Sequence, residues 1–108
     1  MQVRLDDPGE YDRYENEFRF IAKVNGESTS VTATGAALFL VTEALGMVPS
    51  TPQAAYAAGG SLLKKVIAEV IKITGDLQPT YLITHTDVLR VTGSVNGMPH
   101  VPKRWKPY

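Results

Sequence analysis

The chain has 108 residues, is 44% hydrophobic and 20% charged, contains no cysteine and carries no formal net charge. That length suits one domain with one core, and the apolar content is too high for intrinsic disorder. Without cysteine there is no disulfide, no thiolate nucleophile and no cysteine-containing zinc site, which suits a reducing compartment and makes the cytoplasm the expected location.

The opening run Met1-Gln2-Val3-Arg4-Leu5-Asp6-Asp7 has neither the basic start nor the apolar core of a signal peptide. The longest apolar stretch, Ala36 to Val41, is six residues, against roughly 20 for a membrane-spanning helix, so no membrane partner is expected. Charge is uneven: residues 1–27 hold seven acids against four bases, and residues 77–108 hold Asp87 alone against Arg90, Lys103, Arg104 and Lys106. Opposite ends of this kind either pair with each other or leave a basic tail for an anionic partner.

In chain order, residues 2–5 read as a short strand and Asp6-Asp7-Pro8-Gly9 as a turn. Glu17 to Val24 alternates, with Phe18, Phe20, Ala22 and Val24 on one side and Glu17, Arg19, Ile21 and Lys23 on the other, the pattern of a half-buried strand. Asn25-Gly26 then signals a type I′ hairpin, with Ser28 to Ala33 returning antiparallel.

Thr34 reads as the cap of a helix from Gly35 to Leu45, closed by Gly46 with Pro49 soon after. Apolar residues nearly encircle this helix, so it is enclosed either by the core or by a second subunit. On the second alternative Leu38, Phe39, Val41 and Leu45 are the candidate contacts for a homodimer or a protein partner. Thr51-Pro52 opens a second helical stretch, Gly59-Gly60 is expected to loosen it, and Ser61 to restart an amphipathic helix that ends at Gly75. Thr80 to Thr84 and Val88 to Val95 both read as β segments split by His85-Thr86-Asp87, with a short helix from Thr86 as the alternative. Asn96-Gly97 marks a turn, after which Pro99, Pro102 and Pro107 prevent regular pairing.

The expectation is an α+β domain over residues 1–97, with a small antiparallel sheet made of the N-terminal hairpin and C-terminal strands, two or three helices on one face, and an extended basic tail over 98–108. The run from Tyr11-Asp12 through Phe18-Arg19-Phe20-Ile21-Ala22-Lys23-Val24-Asn25-Gly26 resembles the small bacterial domain-of-unknown-function family numbered 1488. The resemblance lies in an F-x-A-x-x-x-G hairpin, a following helix that includes Ala37 and Leu38, a longer second helix and a strand like Tyr81-Leu82-Ile83-Thr84, and it covers residues 1 to about 87. It implies a fold and no activity, and this chain departs from it in its tail after Val88.

Four groups of residues carry candidate chemistry. His85 and Asp87 would share a face on a strand, as a base with its orienting acid or as two metal ligands, and a metal site needs at least one ligand more. Ser61 with Lys64 and Lys65 at a helix start would hold an anion, although the spacing is not that of a phosphate loop. The acids Asp6, Asp7, Glu10, Asp12, Glu15 and Glu17 read as a solvated surface rather than a catalytic pair. Lys103, Arg104, Trp105, Lys106 and Tyr108 combine cations with aromatic rings, which suits nucleic acid or a docked tail. No nucleotide fingerprint or nucleophile elbow is present and no cofactor is implied. The sequence therefore points to a non-catalytic module that acts through protein contacts, with nucleic-acid binding by the tail, and a small hydrolytic or metal enzyme around His85 and Asp87, as alternatives.

Overall fold

A computed structural model describes residues 2–5, 9–47, 50–75 and 77–94. The order is β1 (Val3–Arg4), β2 (Glu10–Asp12), β3 (Glu17–Val24), β4 (Glu27–Thr34), α1 (Gly35–Ala44), α2 (Pro52–Thr74), β5 (Thr80–Ile83) and α3 (His85–Ser94). The strands form one sheet in which β1 and β2 share the outer edge of β3, β4 lies on its other side, and β5 closes the far edge. This is the expected α+β arrangement of a largely antiparallel sheet with its helices on one face.

The β3–β4 hairpin follows from the alternation in its sequence. Asn25 and Gly26 both take positive φ, 52° and 86°, as a two-residue type I′ loop requires, and they set Phe20 opposite Val31 and Val24 opposite Glu27. Side chains of Phe18, Phe20, Ala22, Val24, Val31 and Ala33 are buried under the helices. On the outer edge of β3, Arg4 pairs with Lys23 but Glu10 pairs with Arg19, where an unbroken register would place residue 8. The two short strands are therefore out of register with each other along that edge.

α1 is capped as expected, with the Thr34 hydroxyl accepting from the Ala37 amide at 3.1 Å and Gly46 in the left-handed region at φ 73°. It packs on β4 and against both α2 and α3, and Ala37, Leu38, Leu40, Val41 and Thr42 are all buried. The chain itself encloses most of this helix, with Phe39 left half-buried and Leu45 exposed.

Three expectations are corrected. First, Gly59-Gly60 does not break α2, which runs unbroken from the Thr51 cap to Gly75. A Cβ on Gly59 would sit 3.1 Å from side-chain carbons of Val41 and Thr42, so Gly59 permits close packing of α2 on α1, and one on Gly60 would sit 3.3 Å from the ring of Tyr56, one turn earlier in α2, so Gly60 leaves room for that ring. Second, the stretch after β5 takes the helical alternative, α3 over His85–Ser94, and not the strand. Val88, Val91 and Thr92 recur at helical spacing and are buried, and the Thr92 hydroxyl is satisfied by the Val88 carbonyl at 2.7 Å. Third, among the described residues one C-terminal strand joins the sheet, and β5 runs parallel to β4, because the chain between them crosses over through α1 and α2.

Polar groups tie these parts together. The buried Thr29 hydroxyl donates to the carbonyls of Gln78 (2.6 Å) and Pro79 (3.1 Å), fixing the approach to β5. Asn16, at φ 53°, accepts from the Gly35 amide through its carbonyl (2.8 Å) and from the Tyr11 hydroxyl through Oδ1 (3.0 Å), which locks the β2–β3 turn to the start of α1. Tyr56 stacks on Phe18 with ring centroids 5.2 Å apart, and Tyr11 meets Phe18 at a tilt with centroids 4.8 Å apart.

Candidate functional site: the uncovered side of the sheet

Among the described residues the helices cover one face of the sheet, and the other faces outward. The strand registers define its rows. Glu10, Arg19, Thr32 and Leu82 form one; Ile21, Ser30 and Thr80 form the next; Arg4, Lys23 and Ser28 form a third; Asp12, Glu17 and Thr34 form a fourth at the opposite end. Ile21 is 49% exposed and Leu82 is 60% exposed. Between these two aliphatic side chains lie the hydroxyls of Ser30, Thr32 and Thr80.

Charge on this face lies on β1, β2 and β3, in every row but that of Ile21, and is absent from the outward positions of β4 and β5. At one end Arg19 pairs with Asp12 at 3.0 Å and with Glu17 at 3.7 Å. Asp12 also accepts the amides of Tyr14 (2.9 Å) and Glu15 (3.3 Å). The Glu15 amide first, then the Tyr14 amide, with Arg19 adding to them, holds its carboxyl below the ordinary carboxylate range. Beside this end an open depression of about 400 Å³ is lined by Glu10, Tyr11, Asp12, Arg13, Tyr14 and Arg19. Tyr14 stands 83% exposed there with the Arg13 guanidinium 5.0 Å from its ring centre. Arg4 and Lys23 mark the opposite end. The face is thus neutral and partly aliphatic over β4 and β5, reaches Ile21 on β3, and carries charge along β1, β2 and the rest of β3, acidic toward Asp12 and Glu17 and basic toward Arg4 and Lys23.

The residues singled out in the sequence fall elsewhere. His85 and Asp87 lie in the first turn of α3, where residues two apart point to nearly opposite sides. Asp87 is committed to that helix start: Oδ2 accepts from the Thr84 amide (2.9 Å) and hydroxyl (3.3 Å), and Oδ1 accepts from Arg90 (3.1 Å). The pair is not brought together as base and orienting acid, and among the described residues no group of three metal-binding side chains assembles. Ser61 lies inside α2 and so offers no free helix-start amides, which removes the anion site with Lys64 and Lys65. Leu38 and Val41 are core residues at 2% and 0% exposure and are unavailable to a partner; Phe39 is half-buried and Leu45 is exposed. The expectations for Lys103, Arg104, Trp105, Lys106 and Tyr108 lie outside the described residues.

Sequence reasoning passed over Ile21 and Leu82 as surface features. Their signal is an aliphatic residue at the outward parity of a strand, between Arg19 and Lys23 for Ile21 and between inward Tyr81 and Ile83 for Leu82.

No protein-family model matches the chain, and no curated protein or solved structure matches it. Fold and surface together define a class: a small α+β domain with a one-sided sheet. No helix among the described residues is long and apolar enough to cross a membrane.

Proposed function

We propose that this chain is a non-catalytic accessory module that binds a protein partner through the uncovered face of its sheet. The observation that carries the reading is the uncharged area of Ser30, Thr32, Thr80 and Leu82 over β4 and β5, joined by Ile21 on β3 and flanked by charged residues of β1, β2 and β3. Interfaces concentrate apolar contact at a centre depleted of charge and place polar groups at the rim. Aliphatic side chains held open on a rigid sheet fit such a centre, and the opposed margins supply orientation.

The test is capture from a cell lysate by the full chain, by Ile21→Glu and by Thr32→Arg, with nuclease-treated and untreated samples side by side. The expected result is a protein retained after nuclease by the parent chain and lost with both variants, which keep the parent's circular dichroism. Capture unaffected by either substitution refutes the face. Nucleic acid retained only while residues 98–108 are present overturns the protein reading in favour of Lys103, Arg104, Trp105 and Lys106.

A further inference from the structure

The two edges of the sheet are built differently. The β1/β2 edge consists of two short strands, out of register with each other and carrying Arg4, Glu10 and Asp12. Broken register and charge are the devices by which natural sheets prevent edge-to-edge pairing. The β5 edge has neither: Thr80-Tyr81-Leu82-Ile83 holds no charge and no proline, and β5 pairs with β4 alone among the described strands.

The hydrogen-bond phase of β5 determines what this edge offers. Ser30 donates to the Pro79 carbonyl at 3.4 Å, and in a parallel ladder this directs the N–H and C=O of Tyr81 toward β4 and those of Thr80 and Leu82 away from it. The outward groups are therefore two donors and two acceptors, symmetrically placed about Tyr81. Buried sheets satisfy such groups with another strand.

We propose that β5 is a self-association edge, at which two copies of the chain pair antiparallel about a two-fold axis at Tyr81 and join their sheets. In that register Thr80 of each copy stands opposite Leu82 of the other, and each pair exchanges both of its N–H···O bonds, the hydrogen-bonded pairing of an antiparallel ladder. A two-fold axis demands a self-complementary patch, and this edge is one. Thr80 and Leu82 share the uncovered face, so the exposed Leu82 side chain packs against Thr80 of the second copy and lies diagonal to its Leu82, within about 8 Å. The chain has no formal net charge, so no overall repulsion opposes the approach. Four residues of strand span only about 13 Å, which makes the contact small and the dimer dependent on concentration.

This contact shares Thr80 and Leu82 with the proposed protein-binding face, so variants of the edge are compared with a variant at Ile21, which lies on β3 away from that edge. Sedimentation equilibrium of the full chain from dilute to concentrated solution is compared with Leu82→Pro and Leu82→Lys. The proline ring removes the outward Leu82 donor and leaves the ladder to β4 intact, and an edge lysine blocks pairing. The parent mass is expected to rise toward twice that of one chain, while both variants stay at the single-chain mass with an unchanged thermal transition. If Leu82→Pro lowers the transition, Leu82→Lys decides alone. A parent that stays at one chain throughout, or a dimer that persists in Leu82→Lys, overturns the proposal, and so does a monomer whose Leu82 edge binds a different protein strand. Ile21→Glu should dimerise like the parent even where it abolishes partner capture.

Discussion

Replacing Asp87 with Ala separates a structural carboxylate from a catalytic one. In the fold this side chain accepts the Thr84 amide at 2.9 Å and the Thr84 hydroxyl at 3.3 Å, and it meets Arg90 at 3.1 Å. Its loss leaves the Thr84 amide without that acceptor, a defect that costs about 1 kcal/mol at a helix N-terminus. Loss of a negative charge from the first turn adds about 0.3–1 kcal/mol. Arg90 is 52% exposed at its side chain, so its ion pair contributes only about 0.3–0.5 kcal/mol. The sum is a destabilisation of about 1.6–2.5 kcal/mol, which lowers the thermal midpoint of a domain this size by about 4–8 °C per kcal/mol. Urea denaturation reads the free energy, and amide exchange over 84–88 reads the helix start. Asp87→Asn keeps an acceptor and should fall between parent and alanine variant. An alanine variant as stable as the parent, with exchange at 84–88 unchanged, would refute the capping role.

Two other substitutions and a pH profile test the remaining structure. Leu38→Ala empties a fully packed position and should cost about 2–5 kcal/mol in urea, whereas Leu45→Ala, at a 37% exposed side chain, should cost under about 1 kcal/mol; the reverse order would place α1 at an interface and not in the core. Asp12 titrates below its ordinary value in the fold, so its contribution is present above the unfolded carboxylate value and is lost as pH falls through the lower, folded value. Asp12→Asn, which removes the titration and keeps an acceptor for the turn, should therefore flatten the acid limb of the stability profile. Parallel acid limbs in parent and variant would contradict that account.

The elements governed by local chemistry were legible in the sequence, and those governed by distant packing were not. Alternation from Glu17 to Val24 and the Asn25-Gly26 pair sufficed for the hairpin, because a two-residue loop and a buried face together set the register. Thr34 and Thr51 announced their helices because each hydroxyl accepts from an amide three residues on. Gly59-Gly60 misled because glycine weakens an isolated helix by about 1 kcal/mol per residue, while here its lack of a side chain admits Val41 and Thr42. Val88, Val91 and Thr92 suggested a strand by composition, and burial against α1 and α2 overrode that preference. The signal for the helix was present in Thr84-x-x-Asp87, a capping spacing ahead of an apolar run. The direction of β5 depends on how two intervening helices cross the sheet, which no local pattern encodes. For the candidate surface, outward parity marked Ile21 and Leu82, but their alignment with Ser30, Thr32 and Thr80 needed the pairing of three strands.

The central claim is that the uncovered face of the sheet is the side on which this protein meets its partner. Amide hydrogen exchange of the full chain, alone and saturated with the protein it captures, tests that claim most directly. The account predicts added protection across 17–23, 28–34 and 80–83, with exchange along the outward sides of α1 and α2 unchanged. Protection confined to the helices, with the strands exchanging as in the free chain, would contradict it.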